Sequence, residues 1–296
     1  MAENKYSKIL RAMTSDGSAT VLVINSREIV NEARRVHNTA PTATAALGRV
    51  LTAASLMGTK LKEKNDTLTL TFSGDGDAGR IMAVSDYMGN VKGYIENPLA
   101  DPPRRPDGKL NVGAAIGAGM LSVVRECGDG PLQTGMTEIV TGEVAEDIAA
   151  YYSSSEQVPT LISLGVLVDR DYTCLAAGGV LIQLLPMADE STVALIERNA
   201  SELSNISRLF NQGLDNRQIA DIALRDIPYD PFDEISVEYH CDCSRSRMKR
   251  NILSLGKQKV AELLCEQESE GKARELTAEC HFCGKSYTFT EKELLG

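Results

Sequence analysis

Tryptophan is absent from this 296-residue chain, and aromatic residues make up only 5% of it. A surface that stacks nucleobases would be poorly supplied. Positive charge is also short. Against 41 Asp and Glu stand 31 Lys and Arg, a formal net charge of −10. That balance repels phosphate and argues against nucleic acid as a partner. No apolar run approaches the roughly 18 residues of a membrane span, which excludes a membrane partner of that kind. The opening Met1-Ala-Glu-Asn-Lys-Tyr-Ser-Lys carries no apolar stretch of a secretory leader. The expected location is therefore cytoplasmic, where thiols stay reduced. Histidine occurs three times. His37, beside two arginines, reads as structural or surface rather than catalytic. No Gly-x-Ser-x-Gly elbow surrounds the serines before Glu156, and no histidine lies near them in sequence. The chain is not read as an enzyme.

What is present suffices for a core, since 43% of residues are apolar. The early residues predict a hairpin turning at Ser15-Asp-Gly-Ser18. Ser26 is expected to cap a helix reaching His37. Pro41 to Gly58 is a run of small and apolar residues, apolar nearly all round, which predicts a buried helix. Thr67 to Phe72 alternates as a strand. Gly74-Asp-Gly-Asp-Ala-Gly79 matches a dinucleotide loop in form. Arg80 to Ser85 after it reads as a strand, not a helix, so a hairpin turn is expected instead. A loop-rich stretch over 97–119 precedes two strand-like pieces.

Glu143 to Tyr152 predicts a short helix with Glu146 and Asp147 on a solvated face. Tyr151 to Pro159 reads as a turn-like loop. Leu161 to Val168 and Thr173 to Pro186 predict a long core hairpin. Beyond Asp189, Glu190 to Phe210 and Asp215 to Ile227 read as two amphipathic helices, broken off at Pro228 and Pro231. Helices of that kind owe their stability to docking, so this segment is a candidate for conditional order. A short strand, Ile235 to His240, leads into the tail.

The tail carries the strongest signal. Cys241-Asp-Cys243 and Cys280-His-Phe-Cys283 are separated by 36 residues. Each pair can hold a metal ion with two thiolates. Two pairs brought together give the four-sulfur tetrahedron preferred by structural zinc. A tail of about sixty residues is near the lower limit for an independent core, so the metal would decide whether it folds. Such a closed site leaves no position for a hydrolytic water. Arg245, Arg247, Lys249, Arg250 and Lys285 lie near the thiolates and can offset their charge. His240 and His281 are alternative donors, each strained by adjacency to a ligand. Cys265 lies mid-helix and is expected to be a free thiol. Oxidation of zinc-held thiolates offers a redox switch. A zinc-ribbon nucleic-acid binder and a thiol–disulfide oxidoreductase using Cys280 and Cys283 are the competing readings. Net charge opposes the first, and the missing βαβ context opposes the second.

With the paired cysteines, Pro41 to Gly58, Ser155-Glu-Gln-Val-Pro159 and Ala176-Ala-Gly-Gly-Val-Leu-Ile-Gln-Leu-Leu-Pro186, the chain resembles the redox-regulated heat-shock chaperones, the 33 kDa chaperonins. The resemblance implies an α+β fold: a mixed α/β core with a large sheet over 1–187, a helical linker over 188–235, and a small zinc domain over 236–296. It implies an ATP-independent holdase that is silent when reduced and holds one zinc ion through Cys241, Cys243, Cys280 and Cys283. Oxidation would join Cys241 to Cys243 and Cys280 to Cys283, release zinc, loosen the linker and expose apolar surface to unfolded client proteins. The resemblance further implies a homodimer in the oxidised state.

Overall fold

The structure is a computed structural model and describes residues 6–128 and 130–296. The chain divides into two compact units, one ending at His240 and one spanning Cys241–Gly296.

The first unit opens with the hairpin of β1 (Ser7–Thr14) and β2 (Ala19–Asn25), turned where Asp16 accepts from the Ser18 amide. Helices α1 (Arg27–His37) and α2 (Pro41–Gly58) follow. Next come β3 (Thr67–Gly74), β4 (Arg80–Asp86), β5 (Val91–Ile95), α3 (Val112–Ile116), β6 (Gly119–Glu126) and β7 (Gln133–Glu138). Helix α4 (Ala145–Tyr151) runs on into a π-turn over Tyr152–Glu156. The long hairpin of β8 (Thr160–Val168) and β9 (Cys174–Leu184) precedes α5 (Glu190–Ala200), α6 (Ile206–Asn211), α7 (Asn216–Ala223) and β10 (Tyr229–Val237). The strands form two antiparallel five-stranded sheets, ordered β10-β1-β2-β9-β8 and β5-β4-β3-β6-β7. The mixed α/β expectation holds, with the sheet content split in two.

Helix α2 is the common wall of that architecture. Every residue in it except Arg49 is buried. It packs on β3, β4 and β5 of one sheet and on β2, β8 and β9 of the other. Small side chains permit this. A Cβ on Gly58 would lie 2.0 Å from the Ser85 hydroxyl oxygen, an impossible contact. The glycine-rich loop before β4 is a hairpin turn, as its sequence implied, and it leans on the carbonyls of Ala115 and Ile116.

The outer face of the β10-β1-β2-β9-β8 sheet is covered by α5, α6 and α7. Ile196, Leu203, Ile206, Phe210 and Ile219 pack with Val21, Val23, Val180 and Ile182 in one buried cluster. Phe210 reaches the sheet because position 178 is glycine; a Cβ there would sit 2.2 Å from the Phe210 ring. The amphipathic helices after Asp189 are thus docked.

Several local expectations need correction. The Ser26 side chain does not cap α1; its hydroxyl bonds that of Thr52 on α2, 2.7 Å away, because burial against α2 outcompetes the cap. Residues 190–210 are not one helix. The chain tightens into a 3-10 turn at Ser201–Leu203, where the Ser163 hydroxyl of β8 donates to the Leu203 carbonyl at 2.6 Å. Pro228 and Pro231 do not leave a loose break. They flank the start of an edge strand, and the register of β1 against β10 shifts at Arg11/Ala12, where Ala12 faces Pro231. Proline is tolerated there because an edge position and a bulge need no ladder donor. That strand begins at Tyr229 rather than Ile235. The turn-like stretch before Pro159 takes the form of a π-turn, closed by Glu156, which accepts from Arg125 at 2.7 Å and from the Tyr151 hydroxyl at 2.5 Å.

Asp147 is the clearest correction. It is fully buried, whereas its neighbour Glu146 is exposed. Its carboxylate accepts from the amides of Val140, Thr141 and Gly142 at 2.8, 2.9 and 3.3 Å and from Val144 at 2.9 Å. Removing it would leave four amides without their acceptor, those of Gly142 and Val144 buried away from water. Asp147→Ala should therefore destabilise the first unit by about 3 kcal/mol or more, with Glu146→Ala costing about 0.5 kcal/mol or less. Urea unfolding of the reduced chain checks both, and equal midpoints would contradict this role for Asp147.

Candidate metal centre

The second unit is α8 (Arg245–Leu253), α9 (Lys257–Ser269), the hairpin of β11 (Glu275–Glu279) and β12 (Ser286–Thr290), and α10 (Glu291–Leu295). Its buried apolar core is small, consisting of Ile252, Val260, Leu264, Phe289 and Leu294. Local signals define its elements. The Ser244 hydroxyl accepts from the Arg247 amide at the start of α8, and Thr290 with Glu293 forms a capping box at α10.

The β11–β12 turn carries Cys280 and Cys283. The Cys280 amide donates to the Lys285 carbonyl at 2.9 Å, and the Gly284 amide returns to the Cys280 carbonyl at 2.8 Å. Gly284 takes φ +68°, a left-handed conformation that suits glycine and curls both thiols to one side. Cys241 and Cys243 arrive on the segment just before α8. Cys241 Sγ lies 3.7 Å from Cys280 Sγ, and Cys243 Sγ lies 3.3 Å from Cys283 Sγ. All four sulfurs lie within 4.8 Å of one another. Four sulfurs about 2.3 Å from a central ion would be separated by about 3.8 Å, so the Cys241–Cys280 spacing is close to a tetrahedral edge and the Cys243–Cys283 spacing is somewhat shorter than one. The four cysteines expected from sequence are brought together and can hold a metal ion. Among the described residues, no other group of three or more His, Cys, Asp or Glu donors converges in this way.

Comparison with known proteins identifies the family of the whole chain. Residues 7–290 match the family described as Hsp33 protein. The chain belongs to the Hsp33 family. It is 42% identical over 288 residues to the 33 kDa chaperonin of Clostridium botulinum strain 657, covering 97% of this chain and 95% of that one. It is 40% identical over 287 residues to the 33 kDa chaperonin of Acetivibrio thermocellus, with the same coverage of 97% and 95%. The crystal structure of the 33 kDa chaperonin from Thermotoga maritima superposes with a TM-score of 0.87 at 33% identity, over 97% of this chain and 96% of that one. These relatives are named for a chaperone, not for a reaction.

The surroundings of the sulfurs hold one residue that sequence reasoning missed. The Tyr287 hydroxyl lies 3.3 Å from Cys243 Sγ and 3.3 Å from the Cys243 carbonyl. Its position on β12, two residues past the Gly284-Lys285 turn, was the only signal available. Burial opposes ionisation of Cys243, but hydrogen bonds from Tyr287, then from Cys283 and Cys241, bring its thiol down to about 7. Burial pushes the Cys241 and Cys283 thiols up. With a metal bound, all four must be thiolate, so binding would release protons.

The expected charge compensation is only partly available. Arg247 pairs with Asp242 at 2.6 Å, between the two ligands of the first pair. Arg245 is directed to Glu293 at 2.7 Å and lies over the Phe289 ring, 4.4 Å from its centre. His240 belongs to the first unit, its Nδ1 3.6 Å from Glu238. His37 is structural: its Nε2 lies 2.8 Å from the Gly93 carbonyl and 3.1 Å from the Tyr239 hydroxyl. Cys265 is exposed on α9, its sulfur 3.9 Å from the Arg274 guanidinium, and it is not in the four-sulfur group. Cys174 is buried, and burial pushes its thiol up to about 12.

No helix is long and apolar enough to cross a membrane among the described residues.

Replacing a ligand should abolish stoichiometric metal. Cys280→Ser should weaken metal retention by more than about a hundredfold, whereas Tyr287→Phe, which removes only a supporting hydrogen bond, should cost about tenfold. Cys265→Ser should leave retention unchanged. Chelator competition followed by elemental analysis reads all three, and metal loss from Cys265→Ser would mean the ligand set is misassigned.

Proposed function

We propose that this chain is a redox-switched, ATP-independent holdase chaperone that carries one zinc ion on Cys241, Cys243, Cys280 and Cys283 when reduced. The observation that carries the reading is the convergence of four thiols in a unit with very little apolar core. A zinc ion on four cysteines contributes about 10–16 kcal/mol to folding in small peptides, more than such a core supplies. The donors therefore control whether the unit stays folded.

Peroxide is the natural oxidant class for thiolates held at neutral pH. One peroxide takes two electrons from Cys241 and Cys243, forming one S–S bond, and its oxygens leave as water. A second does the same to Cys280 and Cys283. Two disulfides consume all four sulfur donors, so metal retention ends and the unit loses its main source of stability. Sulfur contacts of 3.7 and 3.3 Å run between the pairs, so in this reading local pairing follows opening of the site.

In this reading residues 1–187 are the chaperone core, 188–235 the conditional segment and 236–296 the sensor. The conditional segment is α5, α6, α7 and most of β10, and β10 runs directly toward Cys241 in the chain. Once the sensor unfolds, that segment loses its anchored C-terminal end. Val21, Val23, Val180 and Ile182, now beneath the helices, become available to unfolded client proteins. The protein acts in the cytoplasm and associates as a homodimer when oxidised.

The test compares peroxide-treated and reduced protein against a client denaturing on heating, followed by light scattering. Oxidised protein should suppress scattering at about stoichiometric ratio while the reduced form does not; equal behaviour ends the switch. In parallel, one zinc should be lost with four thiols. Peptide mapping should show Cys241 joined to Cys243 and Cys280 to Cys283, and cross-linked pairs would overturn the local pairing.

A further inference from the structure

The acidic character of the chain is not uniform. A cavity of about 260 Å³ in the first unit lies between α2, the 104–110 loop, β8 and the start of α6. Five cationic side chains line it: Arg49, Arg104, Arg105, Lys109 and Arg208. Only two carboxylates, Asp107 and Glu143, oppose them there. In a protein of net charge −10 this is a concentrated positive site.

Its geometry shows cations held in place with capacity to spare. Arg49 is the one residue of α2 that is not buried, and it reaches the cavity from an otherwise apolar helix. It pairs with Glu143 at 2.5 Å, yet its Nε is buried and has no hydrogen-bond partner among the described residues. Arg105 shares Glu143 at 3.3 Å and lies 3.8 Å from Asp107. Arg104 donates to the Gly108 carbonyl at 3.2 Å, which satisfies a proton but not its charge. Lys109 donates across to the side-chain oxygen of Asn205 at 3.4 Å, joining the loop to the residue just before α6. Arg208, on α6 itself, makes no ion pair among the described residues.

We propose that this cavity binds a small multivalent phosphoryl anion of the pyrophosphate class, and that the bound anion clamps α6 onto the sheet. Guanidinium groups approach from three elements, α2, the 104–110 loop and α6. Guanidinium forks match phosphoryl oxygens bidentately, and an anion with oxygens on several sides can satisfy such an arrangement where a planar carboxylate cannot. The cavity is smaller than the roughly 300–1,000 Å³ of drug-sized ligand sites, which favours an inorganic anion over a whole nucleotide. Because Arg208 and Lys109 belong to parts that separate when α6 leaves the sheet, the anion binds the docked form best. At a free concentration of about ten times its Kd, it would favour docking about tenfold. Binding itself stands independently of the chaperone reading; only its effect on activation rests on that reading.

The test titrates inorganic pyrophosphate into the full-length reduced chain by calorimetry at fixed ionic strength, with chloride as the matching salt. Saturable binding is expected, and Arg208→Ala should weaken it about tenfold or more. Arg208 is exposed, so its removal should leave the circular dichroism unchanged; Lys109→Ala, on the opposite wall, is the second variant and should weaken binding in the same direction. Amide exchange across Ile206–Asn211 should slow about tenfold in pyrophosphate at ten times Kd, and this slowing should vanish in Arg208→Ala. Absence of saturable binding, or equal affinity in wild type and both variants, overturns the site. Binding without slowed exchange in α6 overturns the clamp. Because neither readout uses a client or an oxidant, failure here is separable from failure of the redox switch.

Discussion

Four sulfur atoms drawn within 4.8 Å of one another are the constraint on which the C-terminal unit depends. Thiols at such distances repel when ionised and share protons when not. A cation removes both difficulties, because it requires all four as thiolates at about the spacing observed. The unit has two short helices, a two-stranded hairpin and a final turn of helix around five buried apolar side chains. A two-stranded hairpin and so few core residues are marginal in water without a further staple.

The first unit is stabilised differently. Helix α2 is enclosed by side chains from both sheets, so a large apolar area is removed from water around one element. Several polar groups inside that core are matched to one another, as with Ser26 and Thr52 or Asp147 and its four amides. Over the outer face of the β10-β1-β2-β9-β8 sheet, α5, α6 and α7 form a second cluster of shorter pieces. Short helices have little stability alone, so their order is borrowed from the sheet. One robust core, one borrowed layer and one small unit around four converging thiols differ in how much apolar packing each has, and such differences grade the order in which parts of a protein open.

Much of the site was legible because the chemistry is local. A Cys-x-Cys before a serine cap and a Cys-x-x-Cys before a glycine each hold two thiols within a few bonds of chain, and the two pairs converge in the fold. Tyr287 was not legible, since its value comes from facing Cys243 across 44 positions of sequence. The same division runs through the fold. The α2 helix, the β8–β9 hairpin and the Asp215 cap follow from composition, alternation and capping chemistry. The break after Ala200 and the solvated reading of Asp147 depended on partners that no local pattern names, Ser163 in one case and the amides of the 140–144 turn in the other.

By itself, the sequence determined the identities and spacings of four cysteines able to hold a metal ion, the helical and strand periodicities, and the exclusion of a long apolar span. Those properties act within a few residues, through bond geometry and the repeat of helix or strand. Only the tertiary structure decided that the two cysteine pairs close into one cluster, that the helices after Asp189 lie docked on the sheet, and that β10 joins β1 at its edge. The reason is physical: those arrangements are set by desolvation and contact between segments far apart in the chain, and such energies exist only once the surfaces have met.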